Sequence, residues 1–195
     1  VSTKDDVVQL REFLNDNGGE QIEIIAKIEN RSGIENVESI CEACEGIMIA
    51  RGDLGVEIPF AEVPAVQKNL IRKCRLLGVR VITATEMLET MIYNPRPTRA
   101  EISDVANAVY DGTSAIMLSG ETAAGKYPAE AVRVMAEIAQ YTEEHTGYRT
   151  RFLKEDFHIY SNLDAICHPT CTMAIDVKAK GIVVCSTSGV TARMV

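Results

Sequence analysis

Tryptophan is absent from this chain, aromatic residues make up 5 % of it, and histidine occurs three times in 195 residues. His145, His158 and His168 are scattered, and none follows a strand-like apolar run. The chain therefore offers no foundation for a histidine-based acid–base or metal site. No apolar run approaches the roughly 20 residues that a membrane span requires. Lys4, Asp5 and Asp6 interrupt the start, so no signal-peptide pattern is visible there. Positive charge is in deficit: 20 Lys and Arg stand against 28 Asp and Glu, for a net charge of −8. Nucleic-acid binding needs the opposite, a basic surface. Neither nucleic acid nor a membrane is expected as a partner.

What is present is ordinary globular material, 46 % hydrophobic and 25 % charged. The length suits one domain, or one domain and part of another. Six cysteines, at 41, 44, 74, 167, 171 and 185, lie in apolar helix-like or strand-like contexts, as reduced cytoplasmic thiols do. Cys41 and Cys44 form a CxxC and Cys167 and Cys171 a CxxxC, but neither lies in a Gly-rich knuckle, so no zinc site is expected. The chain opens at Val1 without an initial strand and stops at Val195 inside a helix start, which reads as a piece of a longer protein.

The apolar spacing predicts helix over 3–17, strand over 22–28, and helix from Ile34 to Cys41 with Ser32 as cap. Strand over 46–50 follows, then a loop with Pro59 and Pro64, helix over 66–77, strand over 79–83 and a helical turn at 87–91. Thr98 and Glu101 form a capping box for a helix to about Tyr110. Strand is expected over 115–118 and a long helix from Pro128 to about His145. This alternation means a parallel sheet with right-handed crossovers. Residues 147–160 read as a linker. Helix over 162–179 contains Pro169, which should kink or restart it. A strand at 181–185, a hydroxyl-rich loop and a helix start at Thr191 look like the opening of a second α/β domain.

Each strand of the first part ends in chemistry: Lys27 and Glu29; Arg51, Gly52 and Asp53; Thr83 and Thr85; Ser119 and Glu121. Four consecutive strands loaded at one end suggest a (β/α)₈ barrel rather than a Rossmann sheet, and four βα units are half of one. The expected fold class is thus α/β, a partial TIM barrel followed by the start of a second α/β domain. Lys27 and Glu29, two apart on a strand, share a face. A structural ion pair is the bland reading. Asp53 from the next strand adds a second carboxylate, and two carboxylates beside a lysine suit a divalent ion with a separate positive point for phosphoryl or enolate chemistry. The segment GETAAGKY resembles a phosphate-binding P-loop but fails at Tyr127, where a Ser or Thr is required. Ser119 and Glu121 are instead expected to line the strand-end site, and Thr85 either meets a substrate carboxylate or caps the next helical turn.

The segments IEIIAKIENRSGIENV, GIMIARGDLGVEIP, ATEMLETMIYNPRPTRAEISDVANAVYDG and IMLSGETAAGKYP closely resemble successive parts of the pyruvate kinase family. The resemblance implies that residues 1–148 are the second half of the catalytic barrel and 149–195 a linker and the start of the C-terminal effector domain. It implies catalytic roles for Lys27 (on the transferring phosphoryl group), Thr85 and Ser119 (near proton delivery). It implies substrate contacts at Arg51, Gly52, Asp53 and Thr85, with the N–H groups of Gly52 and Asp53 on the phosphoenolpyruvate carboxylate. Glu29 and Asp53 are the implied ligands of Mg²⁺ or Mn²⁺. Implied too are K⁺, with ligands outside this chain, and ADP, ATP and pyruvate as partners in glycolysis. An allosteric, cytoplasmic homotetramer and an effector-phosphate loop at Ser186, Thr187, Ser188 and Gly189 complete the list. Glu86 stands where the family usually has Gln; its carboxylate either raises metal affinity or repels an anionic substrate. Two other readings stay open: an inert half-barrel without activity of its own, and another metal-dependent barrel enzyme of phosphoenolpyruvate or pyruvate.

Overall fold

The computed structural model describes residues 1–154, 158–159 and 161–195. They divide into two compact units, Val1–His145 and Thr146–Val195.

The first unit is built on four parallel strands, β1 (Ile25–Ile28), β2 (Gly46–Ala50), β3 (Arg80–Ala84) and β4 (Ala115–Met117), in the spatial order β1-β2-β3-β4. The ladders pair Lys27 with Met48 and Met48 with Ile82. Side chains alternate across a strand, so each strand divides its residues between two faces. Ala26, Ile28, Ile47, Ile49 and Val81 share one face and are buried against Val37, Ile40, Leu70, Ile71 and Cys74. Burial of side chains of this size stabilises by about 1.5–3 kcal/mol each. Ile25, Lys27, Met48 and Ile82 occupy the other face, which is only partly covered. One face on helices and one open face is the arrangement of half a barrel.

α1 (Lys4–Asp16) leads into β1, and between β1 and β2 lie two short helices, α2 (Arg31–Glu35) and α3 (Val37–Cys41). The expected single helix with Ser32 as cap is corrected. Asn30 is the cap, its Oδ1 accepting from Gly33 N–H at 2.8 Å, and Asn36 interrupts the run while its amide donates to Ser2 O at 3.0 Å. β1 starts at Ile25 rather than 22 because β2 begins opposite Ile25, leaving earlier residues without a ladder partner. No loop follows β2: α4 (Arg51–Glu57) begins at once, and Pro64 sits in the first turn of α5 (Val63–Leu76), where its missing N–H has no helical acceptor to lose. A 3₁₀ turn, Glu89–Ile92, follows β3. α6 (Arg99–Asp111) carries the expected capping box of Thr98 and Glu101. α7 (Gly120–Ala123) is one turn, and α8 (Pro128–His145) closes the unit.

In the second unit, α9 (Tyr148–Lys154) occupies part of the expected linker; residues 155–157 and 160 of that expectation lie outside the described residues. α10 (Asn162–Asp176) runs continuously through Pro169, and Ser161 Oγ caps it by accepting from Asp164 N–H at 3.1 Å. The strand expected over 181–185 does not form. A strand exists only with a neighbour to share its hydrogen bonds, and the described residues supply none there. α11 (Val190–Met194) ends the chain.

The six cysteines are free thiols among the described residues. A hydrogen bond with Cys74, followed by burial, pushes the Cys41 thiol far up, and burial pushes Cys44 to about 11. Thiols held protonated in this way are core fillers rather than nucleophiles.

Candidate active site at the strand ends

Because the four strands are parallel, their carboxyl ends share one edge, and the chain crossing that edge places Glu29, Arg51, Gly52, Asp53, Thr85 and Ser119 there. Lys27 Nζ lies 2.6 Å from Glu29 Oε2 and 2.7 Å from Asp53 Oδ2. Two carboxylates from adjoining strand ends thus converge on one ammonium. Its hydrogen bonds to Asp53 and then Glu29 raise the Lys27 pKa above the ordinary lysine value, against the opposing effect of burial. The group therefore carries its positive charge at neutral pH. All three side chains keep between 38 and 54 % of their surface exposed, so they face the solvent-filled edge and not the core.

No group of three or more His, Cys, Asp or Glu side chains among the described residues is arranged to hold a metal ion. The donor set still fits a hard divalent cation. Mg²⁺ is commonly held by one or two carboxylates with its other positions left to water and phosphate oxygens, and Glu29 and Asp53 supply two such carboxylates within reach of a single atom.

Gly52 and Thr85 are joined: the Gly52 N–H donates to Thr85 Oγ1 at 2.8 Å, and that hydroxyl donates to Ala84 O at 2.6 Å. Thr85 and Glu86 have φ of 69° and 51°, a left-handed pair at non-glycine positions. The Glu86 side chain is exposed and its Oε1 lies 3.7 Å from where a Cβ on Gly52 would be. Glycine at 52 therefore leaves the space beside both Thr85 and Glu86 open.

Arg51, expected as a substrate contact, turns inward and is 7 % exposed. Its Nε donates to Thr85 O at 3.1 Å, one terminal nitrogen to Gln67 Oε1 at 3.2 Å and Asp104 Oδ2 at 2.6 Å, and the other to Thr85 O and Glu86 O, each at 2.7 Å. A guanidinium has five N–H groups, and five are engaged. None remains for a substrate, so the side-chain part of that expectation is corrected. Gln67 and Asp104 carried no signal of this role; each reads as one more polar residue on an amphipathic helix.

Glu121, expected to line the site, is also corrected. It is fully buried, with Oε1 accepting from Leu88 N–H at 2.9 Å and Oε2 from Ser119 N–H at 2.8 Å. It braces the chain after β4 against the chain after β3, and so places Ser119. Gly125, which gave GETAAGKY its P-loop look, has a local reason: a Cβ there would fall 2.3 Å from Glu121 O. The 3₁₀ turn nearby is acidic. Burial, with the charges of Glu121, Glu86 and Glu101, raises the Glu89 pKa.

In the second unit, Ser186 Oγ accepts from Gly189 N–H at 3.0 Å and Ser188 Oγ from Val190 N–H at 3.4 Å, with Gly189 at φ 76°. This loop is thus a turn closed on its own hydroxyls. Thr187 is exposed within it.

Fold and site together define a class: part of a parallel (β/α) barrel with charged and hydroxyl groups gathered at the carboxyl ends of its strands. Residues 1–132 match the family described as pyruvate kinase, barrel domain. The chain belongs to the pyruvate kinase family. It is 52 % identical over its whole length to the pyruvate kinase of Clostridium acetobutylicum, of which it covers 41 %. It is likewise 52 % identical to that of Geobacillus stearothermophilus, of which it covers 33 %. A crystal structure of a pyruvate kinase from Cryptosporidium parvum superposes on all of the chain with a TM-score of 0.91 at 42 % identity, 41 % of that structure being covered. The chain therefore spans about two-fifths or less of the length of these relatives. No helix among the described residues is long and apolar enough to cross a membrane.

Proposed function

We propose that this chain forms the metal- and phosphoryl-handling side of a pyruvate kinase active site, for transfer of the phosphoryl group of phosphoenolpyruvate to ADP. The observation that carries the reading is the Lys27 ammonium held by Glu29 and Asp53 at the carboxyl edge of a parallel sheet, with Thr85 bonded to the adjoining Gly52. In phosphoryl transfer the protein supplies position and neutralised charge, with little covalent chemistry of its own. An ADP phosphate oxygen attacks phosphorus, the bond to the enol oxygen breaks, and the enolate left behind takes a proton to become pyruvate. Lys27 neutralises charge on the group in transit. The substrate carboxylate would replace Ala84 O as acceptor of the Thr85 hydroxyl and Thr85 Oγ1 as acceptor of the Gly52 N–H, with the Asp53 N–H as a third donor. Ser119, placed by Glu121, lies toward the proton's path. Glu29 and Asp53 would hold Mg²⁺ or Mn²⁺, which supplies electrostatic stabilisation of the transferring group and the enolate when bound.

K⁺ dependence, assembly as a cytoplasmic tetramer, a place in glycolysis and an effector phosphate at Ser186–Gly189 belong to the same proposal and rest on family likeness. By itself the 195-residue chain is expected to be inactive, since β1 and β4 each present an edge that no described strand covers. The test uses the whole protein that carries this segment, assayed for ATP formation from ADP and phosphoenolpyruvate with and without Mg²⁺. Metal-dependent ATP formation supports the reading. Consumption of phosphoenolpyruvate or pyruvate without ATP formation would instead favour a lyase-type barrel enzyme.

A further inference from the structure

We infer that Arg51 is a positioning residue of the proposed reaction, holding Thr85 and Glu86 in the left-handed turn that sets the Thr85 hydroxyl against the Gly52 N–H. The inference rests on the phosphoryl-transfer reading for its kinetic consequences, and on geometry alone for the turn.

Two successive non-glycine residues at positive φ, one of them β-branched, need an outside restraint. The restraint is visible. Arg51 makes three of its hydrogen bonds to the Thr85 and Glu86 carbonyls, so both peptide planes are held from one rigid, planar group. That group is fixed in turn from behind. Asp104 on α6 and Gln67 on α5 take the remaining N–H groups, and the Asp104 carboxylate compensates a buried charge. In front, the Thr85 hydroxyl that results from the turn accepts from Gly52 N–H. A continuous line of hydrogen bonds therefore runs from two outer helices, through Arg51, to the groups proposed to meet the substrate carboxylate. The Arg51 guanidinium reaches the site only through Thr85 and Glu86, while its backbone is bonded directly to Gly52.

A merely structural arginine and a positioning one differ in what a lysine does. Lysine keeps the charge opposite Asp104, but its compact ammonium does not reproduce the fork that grips two carbonyls and two side chains together. In the whole protein, Arg51→Lys is expected to raise the KM for phosphoenolpyruvate by about tenfold while kcat changes by less than about threefold, the signature of lost binding that ground and transition states share. Mn²⁺ affinity, set by Glu29 and Asp53, should stay within about twofold of the parent. Arg51→Lys and Thr85→Ala combined should raise KM little further than Thr85→Ala alone, because both act on one hydroxyl. Amide hydrogen exchange at Gly52 should quicken in Arg51→Lys, since its acceptor is displaced. A variant that loses thermal stability but keeps the parent KM, kcat and Gly52 exchange would overturn the inference, as would multiplicative KM effects in the double variant. Absence of ATP formation in the parent protein would instead overturn the proposed reaction, and the Gly52 exchange comparison would still decide whether Arg51 holds the turn.

Discussion

The N–H of Gly52 donates to the hydroxyl of Thr85 across 2.8 Å, tying the residue that follows Arg51 after β2 to the residue that follows β3. Neither residue is charged, yet this bond places the two strand ends at one depth. It leaves Lys27, Glu29 and Asp53 gathered on the same edge. The predictions below concern the whole protein, numbered as here.

Lys27→Met removes the cation and leaves both carboxylates in place. Turnover should fall about a thousandfold, or ~4 kcal/mol of transition-state stabilisation. Mn²⁺ binding, followed by electron paramagnetic resonance, should be retained or tightened, because the competing ammonium is gone. Retained turnover would remove the lysine from the mechanism.

Asp53→Ala should act first on the metal. The Mg²⁺ concentration for half-maximal activity is expected to rise by about tenfold or more, since one of two carboxylate ligands is lost. The same change removes the largest cause of the raised Lys27 pKa, which should move back toward the ordinary lysine value. A magnesium titration indistinguishable from the parent's would exclude the ligand role.

Glu121→Gln tests the buried brace. One glutamine oxygen cannot accept from Leu88 and Ser119 as two carboxylate oxygens do, and its NH₂ group would face an N–H. The cost should be about 2 kcal/mol, read from the urea midpoint. An unchanged midpoint would show that the Ser119 segment is braced in another way.

Glu101→Gln carries a pH signature. Burial works to raise the pKa of Glu101, but hydrogen bonds from Thr90 and Thr98 outweigh it and hold the value below the ordinary one. A depressed folded-state pKa gives stability that is complete above the unfolded value, near 4.3, and is lost as pH falls through the folded value. The variant should be less stable than the parent at pH 7 by about 1–2 kcal/mol. That gap should narrow as pH drops below about 4, where the parent's carboxylate also takes a proton. A gap that stays constant down to pH 3 would contradict the assignment.

Much of this protein was legible before any coordinates. Alternation of apolar runs with 3.6-residue periodicity is a local property, and it yielded four parallel strands, the capping box at Thr98 and the helix from Pro128. The rule that parallel strands share their carboxyl edge then brought Lys27, Glu29, Asp53 and Thr85 together. The errors fall where a residue's fate depends on distant partners. Arg51 takes acceptors 16 to 53 positions away, and Glu121 accepts from a donor 33 positions away. The apolar run at 181–185 has strand composition and no neighbour to pair with.

Composition, spacing and strand-end chemistry were enough to establish the class of fold and which residues follow the carboxyl ends of its strands, because those follow from periodicity within a few residues. Three-dimensional packing alone settled which of the charged groups face outward. It buried Arg51 and Glu121 among backbone groups that needed partners, and forced Thr85 and Glu86 into a left-handed turn. The physical reason is that a charge's position depends on which unpaired donors and acceptors the fold brings near it, and those lie far away along the chain.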